Sequence, residues 1–176
     1  EVIDLPSGGK IYGKDSPLRN GKIEIKYMTA KEEDILTSQN LIKKGVVIDT
    51  LLNQLIVTPG ITCDDLLLGD KNAVMVAARI LAYGPDYSVQ VTMPTTGEVI
   101  EHTFDLSACE FKDLPSKVNY DNNSFETKLP LSGNTIKFKI LTGREEKDIE
   151  AELKSIAKLN RQVSPELTTR LRHTIT

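Results

Sequence analysis

The chain has 176 residues, of which 39% are hydrophobic, 27% are charged and only 5% are aromatic, and its formal net charge is −3. This length fits one domain or two small ones, and the apolar share is enough for a core built on aliphatic side chains. The negative net charge argues against general nucleic-acid binding, which usually needs a strongly basic face.

The two cysteines, Cys63 and Cys109, lack CxxC spacing, which fits a reduced, intracellular environment better than a disulfide scaffold. No apolar run approaches the roughly 20 residues that cross a bilayer, and no signal peptide is visible. The chain begins without Met and stops within a predicted helix. We therefore expect it to be part of a longer product whose last unit continues beyond residue 176.

The N-terminal residues 1–21 are rich in Gly, Pro and Ser and show no hydrophobic period, so we predict an extended arm. The next run, KIEIKY at 22–27, alternates apolar and charged residues as a half-buried strand does. Thr29 and Glu32 have the spacing of a capping box, which begins a helix. We expect this helix to run to about Lys44.

Two further helices are predicted before residue 85. Residues 47–56 place aliphatic side chains on one face and polar side chains on the other, and Pro59 follows them. The next helix should run from about Asp70, as its N-cap, to Tyr83. It is apolar almost all round, which is typical of a central helix.

Beyond residue 85 the hydrophobic period becomes that of β structure. Residues 86–105 predict a β-hairpin around a PTTGE turn, and residues 125–141 predict a second hairpin. Residues 110–124 are polar, and we expect a loop there.

The segments IEIKYMTAKEE (23–33) and IKFKILTGREE (136–146) align residue for residue. Thr142 and Glu145 thus repeat the first capping box, and an LP-containing, Gly-ended turn precedes each segment. We interpret the match as an internal duplication of a strand–capped helix unit. The alternative is that two segments reached a common arrangement separately.

These elements predict an α+β fold with a helical core, β-hairpins and an internal pseudo-repeat of strand–capped helix units. The expected order is the arm (1–21), a first strand–helix unit with the helical core (22–85), a hairpin excursion with a loop (86–124) and a second unit (125–176). Within the second unit, Ser164-Pro165 predicts the start of the last helix.

No catalytic or metal-binding constellation stands out in the sequence. His102 and His173 lack Cys, Asp or Glu at metal-ligand spacing, and SGGK at 7–10 lacks the spacing of a P-loop. Cys109 has no neighbouring His, which favours a small buried side chain over a reactive thiol. We therefore predict a protein with no enzymatic activity, cofactor or metal.

Five strings, in order from about Leu5 to Ile175, carry a resemblance to a known family. They are LPSGGKIY, YMTAKEEDILTSQNLIKKG, DDLLLGDKNAVMVAARILAYGPDY, LPLSGNTIKFKILTGREEKDIEAELK and SPELTTRLRHTI. The sequence resembles the baseplate hub assembly proteins of T4-like contractile-tailed phages. The resemblance implies a viral tail protein that acts by surface recognition, in the host cytoplasm during assembly or in the virion tail baseplate.

The chain departs from the family pattern at residues 93–97. Many relatives carry a zinc-ribbon-like Cys-Pro-x-Cys-Gly turn there, but Met93 and Thr96 stand at the thiolate positions of this sequence. Hairpin pairing rather than a metal must then hold the excursion. A degenerate ribbon also leaves open a nucleic-acid-binding module, whose binding would depend steeply on salt.

The resemblance and the missing catalytic site predict a non-enzymatic protein that takes part in baseplate hub assembly, as a hub component or an assembly chaperone. Expected partners are other phage hub or tail proteins, with no nucleic acid, membrane or small-molecule substrate. Candidate contact residues are Ile11 and Tyr12 in the arm and Tyr87 and Phe104 in the excursion. Each has an alternative interpretation as a core or hairpin residue.

Overall fold

The computed structural model describes residues 1–159 and 165–176 and has the predicted α+β fold. Its described helices are α1 (Ala30–Thr37), α2 (Gln39–Lys44), α3 (Val47–Leu55), α4 (Leu68–Tyr83), α5 (Gly143–Leu159) and α6 (Glu166–Thr174). Its described strands are β1 (Val2–Asp4), β2 (Lys22–Glu24), β3 (Asp86–Thr92), β4 (Val99–Asp105), β5 (Phe125–Lys128) and β6 (Thr135–Phe138). They form three antiparallel pairs, β1–β2, β3–β4 and β5–β6.

The first unit is built on β1 and β2 and is closed by the residues that follow α3. Ile3 of β1 lies opposite Ile23 of β2, and Ile56, just after α3, bridges Ile25. Ile23 and Ile25 are each 1% exposed and belong to the core cluster that also contains Leu52. The period-2 spacing of these two isoleucines therefore directs both side chains into the core.

The N-terminal segment is part of this core rather than the extended arm that the sequence predicted. Ile11 and Tyr12 are only 5% and 9% exposed. Gly9 and Gly21 have positive φ and let the loop fold back on itself, because a Cβ on Gly9 would lie 2.4 Å from the Arg19 carbonyl oxygen. The high Gly, Pro and Ser content thus builds a tightly folded loop.

The helix predicted to run from residue 30 to Lys44 is divided in two. Ser38 has extended dihedral angles (φ −67°, ψ 105°), so α1 ends before it and α2 begins after it. Ser and Thr side chains compete with the helical backbone for hydrogen bonds, and the Thr37 hydroxyl donates to the Glu33 carbonyl oxygen. The pair at 37–38 therefore favours an interruption.

Helix α4 begins two residues before its predicted cap, so Asp70 lies inside the first turn and is 1% exposed. Its carboxylate accepts from the Ser7 amide (2.9 Å), the Ser7 hydroxyl (2.6 Å) and the Tyr12 hydroxyl (2.7 Å). The Tyr12 hydroxyl accepts from the Leu67 amide at 3.0 Å. Burial and the adjacent carboxylate raise the pKa of Tyr12. This buried network fixes the N-terminal segment to the start of α4.

The second unit is built on β5, β6, α5 and α6. After α6 the chain returns to β6, where Ile175 bridges Phe138. Each bridge is flanked by two backbone hydrogen bonds. In the first unit the Lys26 amide donates to the Leu55 carbonyl and the Val57 amide to the Glu24 carbonyl. In the second unit the Lys139 amide donates to the Thr174 carbonyl and the Thr176 amide to the Lys137 carbonyl. Proline 165 precedes α6 directly, and the expected cap Ser164 lies outside the described residues.

In both predicted capping boxes the glutamate reaches back to the threonine. Glu32 accepts from the Thr29 amide at 3.0 Å, and Glu145 accepts from the Thr142 amide at 2.8 Å. Each glutamate also accepts from the hydroxyl of its threonine. The two helices therefore begin with the same local geometry.

A lysine from the preceding strand segment completes each of these sites. Lys26 Nζ lies 2.8 Å from Glu32, and Lys139 Nζ lies 2.7 Å from Glu145. At Glu32, the hydrogen bond from Lys26 and then that from the threonine lower the pKa to about 2. At Glu145, burial raises the pKa, but the hydrogen bonds from the lysine and threonine outweigh it and bring the pKa to about 2.

Ion pairs connect the two units. Asp49 of α3 lies 2.5 Å from Lys71 of α4 and 3.3 Å from Lys147 of α5. Lys147 also lies 2.5 Å from Asp64. These partly buried charges hold α5 against the first unit. Within the described ranges, no helix has the length and hydrophobicity to span a membrane.

Replacing Tyr12 with Phe tests the buried network. The variant leaves the Asp70 carboxylate with one donor fewer and the Leu67 amide without its acceptor, so we expect the free energy of unfolding to fall by about 1–3 kcal/mol. Tyr120→Phe is the matched control, because it removes an exposed hydroxyl that donates to the Pro115 carbonyl. Equal urea midpoints for the two variants would contradict the assignment.

Replacing Glu145 with Gln tests the charge at the second capping box. The pKa of Glu145 is about 2 in the fold and about 4.3 in an unfolded chain. The ionised group therefore stabilises the fold above about pH 4.3, and this contribution disappears as the pH falls toward about 2. We expect the wild type to be the more stable protein at neutral pH and the difference to shrink with acidification, as measured by urea unfolding at several pH values.

Glu150→Gln is the control, because the ion pair between Glu150 and Lys154 is exposed to solvent. Its effect should be small at every pH. A Glu145→Gln effect that stays constant between neutral pH and about pH 2.5 would show that the ionised carboxylate does not stabilise the fold.

Candidate interaction surface

The predicted excursion at 86–105 forms a two-stranded hairpin, here called the tongue, which follows directly on α4. Its strands β3 and β4 have 7 residues each and pair along their whole length. At its turn the Met93 amide donates to the Glu98 carbonyl and the Gly97 amide to the Met93 carbonyl, each at 2.8 Å. The tongue is therefore closed by backbone pairing at its turn.

One face of the tongue is apolar and exposed. Residues opposite each other in register share a face, so Tyr87 and Phe104 lie on the same side as Val89, Val91, Ile100 and His102. Tyr87, Phe104 and Ile100 are 44%, 45% and 40% exposed. A two-stranded hairpin is only marginally stable alone in water. A partner that covers this face would stabilise the tongue.

An apolar groove of about 430 Å³ opens where the tongue leaves the helices. Side chains of α1, α3 and α4 line it, together with Met28 before α1, Tyr87 of the tongue and Leu106 just after β4. The lining includes Met28, Ile48, Met75, Arg79, Tyr83 and Tyr87. Tyr87 belongs both to the groove and to the apolar face of the tongue. We call the two together the tongue–groove surface.

Arg79 positions the tongue relative to α4. Its guanidinium donates to the carbonyl oxygens of Gly84 (3.0 Å) and Asp86 (3.3 Å), at the junction of α4 and β3. It also lies over the rings of Tyr83 and Tyr87, at 5.0 and 5.8 Å from their centroids. The Arg79 side chain thus contacts both tyrosines and the first residue of β3, the strand that carries Tyr87.

The chemistry of the groove is that of apolar contact. Arg79 is its only charged lining residue, and no Asp, Glu, His or Cys lines it within residues 1–159 and 165–176. The polar groups of the lining are therefore the Arg79 guanidinium and the hydroxyls of Tyr83 and Tyr87. The groove can bind apolar side chains through burial, which contributes roughly 25 cal/mol per Å² of apolar surface.

Of the four predicted contact residues, two lie on this surface and two do not. Tyr87 and Phe104 are on the exposed tongue, where Phe104 packs edge-on against His102 at 4.4 Å between ring centroids. Ile11 and Tyr12 lie in the core, so they hold the chain together and cannot form a contact surface.

The helical part of the surface is not among the contacts predicted from the sequence. Met75, Arg79 and Tyr83 follow each other at four-residue spacing and therefore share one face of α4. Met75 and Tyr83 are 39% and 51% exposed. The sequence predicts α4 as a central helix because it is apolar nearly all round. The recurrence of Met, Arg and Tyr along one stripe was the signal that could have identified this face.

Three candidate metal ligands, Asp49, Cys63 and Asp64, place their ligand atoms within 4.8 Å of one another. The ammonium groups of Lys71 and Lys147 already bind the two carboxylates. Burial, then the negative charge of Asp49, raise the pKa of Cys63 to about 11, so this thiol disfavours the thiolate form that binds metals. Ion pairing between the units explains the cluster.

Comparison with known proteins gives the chain a family. No curated protein and no solved structure gives a significant match. The family described as T4 bacteriophage base plate protein matches residues 1–126, a stretch that includes the first unit, the tongue and the loop after it. With the match covering well over half of its residues, the chain belongs to the T4 bacteriophage base plate protein family.

Proposed function

We propose that the chain is a non-enzymatic tail protein that takes part in baseplate hub assembly through protein–protein contacts, as a hub component or an assembly chaperone. Its family supports a structural or assembly role in the baseplate, with other baseplate proteins as partners. The protein would act in the host cytoplasm while tails are built, and in the finished baseplate if it remains there.

The tongue–groove surface is the observation that carries this proposal. Tyrosine, methionine and arginine are enriched in protein interfaces, and tyrosine and arginine often dominate the binding energy. Here Tyr83, Tyr87 and Met75 are exposed around a groove, and Arg79 holds the tyrosines in place. Rigid aromatic side chains lose little conformational entropy on binding, which favours a specific contact.

Replacing Met75 with Glu tests the groove as a contact. Met75 is partly exposed, so the free protein should keep its stability, but a partner would have to bury an unpaired carboxylate. We expect binding to weaken by about 2 kcal/mol or more, about 30-fold in Kd. The measurement is the fraction of the chain that sediments with baseplate intermediates in extracts of cells infected by phage carrying the variant.

Leu131→Glu is the matched control, because Leu131 is fully exposed in the turn between β5 and β6, away from the groove. It should sediment as the wild type does. Thermal melts of both purified variants check that they are folded. A folded Met75→Glu variant that still sediments with the intermediates at the wild-type level would exclude the groove as the contact.

Counting copies separates a hub component from a chaperone. Calibrated mass spectrometry on purified virions and on infected-cell lysate measures the chain in both. A small fixed number of copies per particle would identify a hub component. Abundance in the lysate with none in the particle would identify a chaperone that leaves before the tail is complete.

A further inference from the structure

The tongue carries negative charge that none of its own residues neutralises. Residues 80–111 contain five acidic side chains and no Lys or Arg. Four of these acids, Asp86, Glu98, Glu101 and Asp105, belong to the tongue, and all four are exposed. In the part of the chain that the structure describes, none of the four carboxylates forms an ion pair.

Three of these acids share the face of the tongue that lies opposite its apolar face. The strand register places Asp86, Glu101 and Asp105 together on this side. Asp86 lies directly across from Asp105, and like charges in that arrangement destabilise a strand pair. The Ser107 hydroxyl and amide donate to the Asp105 carboxylate and lower its pKa, so this group is ionised at neutral pH. The tongue therefore has one apolar face and one acidic face.

The other two strand pairs balance their acids with lysines across the strands. Asp4 of β1 lies opposite Lys22 of β2, and 3.2 Å separate the carboxylate from the ammonium group. Glu126 of β5 lies opposite Lys137 of β6, also at 3.2 Å. Of the described strand pairs, only the tongue lacks such an ion pair and places an acid opposite an acid. Its negative charge is thus left for another molecule to balance.

From this charge pattern we propose that the tongue inserts into a basic cleft of another baseplate protein. Such a cleft would present Lys or Arg side chains to the acidic face and apolar side chains to the opposite face. The inference rests on the proposed function and gives the partner a chemistry. Charge complementarity identifies this occupant, because cations beside the acidic face would offset the repulsion between its carboxylates.

Two other occupants match the tongue poorly. In a second copy, the same tongue would bring acids against acids, and the chain as a whole has a net charge of −3. A nucleic acid carries a negative phosphate on every nucleotide, which the acidic face would repel. A basic protein surface meets neither obstacle.

The two faces would contribute to binding in different ways. Burial of Tyr87, Ile100 and Phe104 would stabilise the complex whatever the salt concentration. Exposed acids would instead speed association and make binding depend on salt. The distance over which salt leaves charges unscreened falls from about 10 Å at 0.1 M to about 3 Å at 1 M. Salt should therefore weaken the contact of the acidic face and spare that of the apolar face.

The salt dependence of binding tests the basic cleft. The probe is a preparation of baseplate intermediates from cells infected by a phage that lacks this chain. The readout is the amount of purified chain that sediments with them over a range of chain concentrations. We expect the apparent Kd of the wild type to rise at least about 10-fold between about 50 mM and about 500 mM NaCl.

A variant with both Glu98→Gln and Glu101→Gln removes two charges of the tongue. Both side chains are exposed, so the free protein should keep its stability, which thermal melts check. If this variant does not fold, Glu101→Gln alone takes its place. We expect binding at low salt to be at least about 10-fold weaker than that of the wild type, and the further loss at high salt to be smaller.

The matched control carries Asp148→Asn and Glu150→Gln. Both residues are exposed on α5, away from the tongue, and the change in net charge is the same. This control should bind as the wild type does at both salt concentrations.

Three results would overturn the proposal. Wild-type binding that salt leaves unchanged, or a tongue variant that binds as the wild type does, would exclude the basic cleft and leave the proposed function standing. A wild-type dimer at low salt that the tongue variant abolishes would identify a second copy as the occupant. No sedimentation of the wild type with the intermediates at either salt concentration would overturn both the cleft and the proposed function.

Discussion

A buried carboxylate sets the position of the helix on which the rest of the protein depends. Asp70 is shielded from water, and an unpaired charge there would be strongly destabilising, so its oxygens need donors. Ser7 and Tyr12 supply them from the N-terminal loop. The same bonds fix the start of α4, whose length then lines the groove and whose end leads through Arg79 into the tongue. The buried bonds to Asp70 therefore position both the core and the candidate surface.

The parts of the fold that the sequence predicted are those set by near neighbours. The Thr29–Glu32 and Thr142–Glu145 pairs act within one helical turn, and the hairpins follow from period-2 alternation, so local patterns sufficed. The folded N-terminal loop could not be found this way. Its bonds to Asp70 join residues that are 58 and 63 apart in the chain, and an Asp near a helix start ordinarily indicates a cap.

The candidate surface likewise has one part that local sequence patterns predict and one part that depends on distant residues. Tyr87 and Phe104 were predicted as contacts from their place on an exposed hairpin, which depends only on strand alternation. The groove requires α1, α3 and α4 to meet, and no local pattern reports such an encounter.

Site-specific photo-cross-linking tests the central claim, that the tongue–groove surface contacts other baseplate proteins, most directly. A photoreactive phenylalanine analogue replaces Tyr87 in the phage-encoded chain, infected cells are irradiated during tail assembly, and the cross-linked products are identified by mass spectrometry. The same analogue at Leu131, exposed and away from the groove, is the reference. The account predicts cross-links to a baseplate protein from position 87 and few from position 131. Assembly-competent chains that give no baseplate cross-link from position 87 would contradict it.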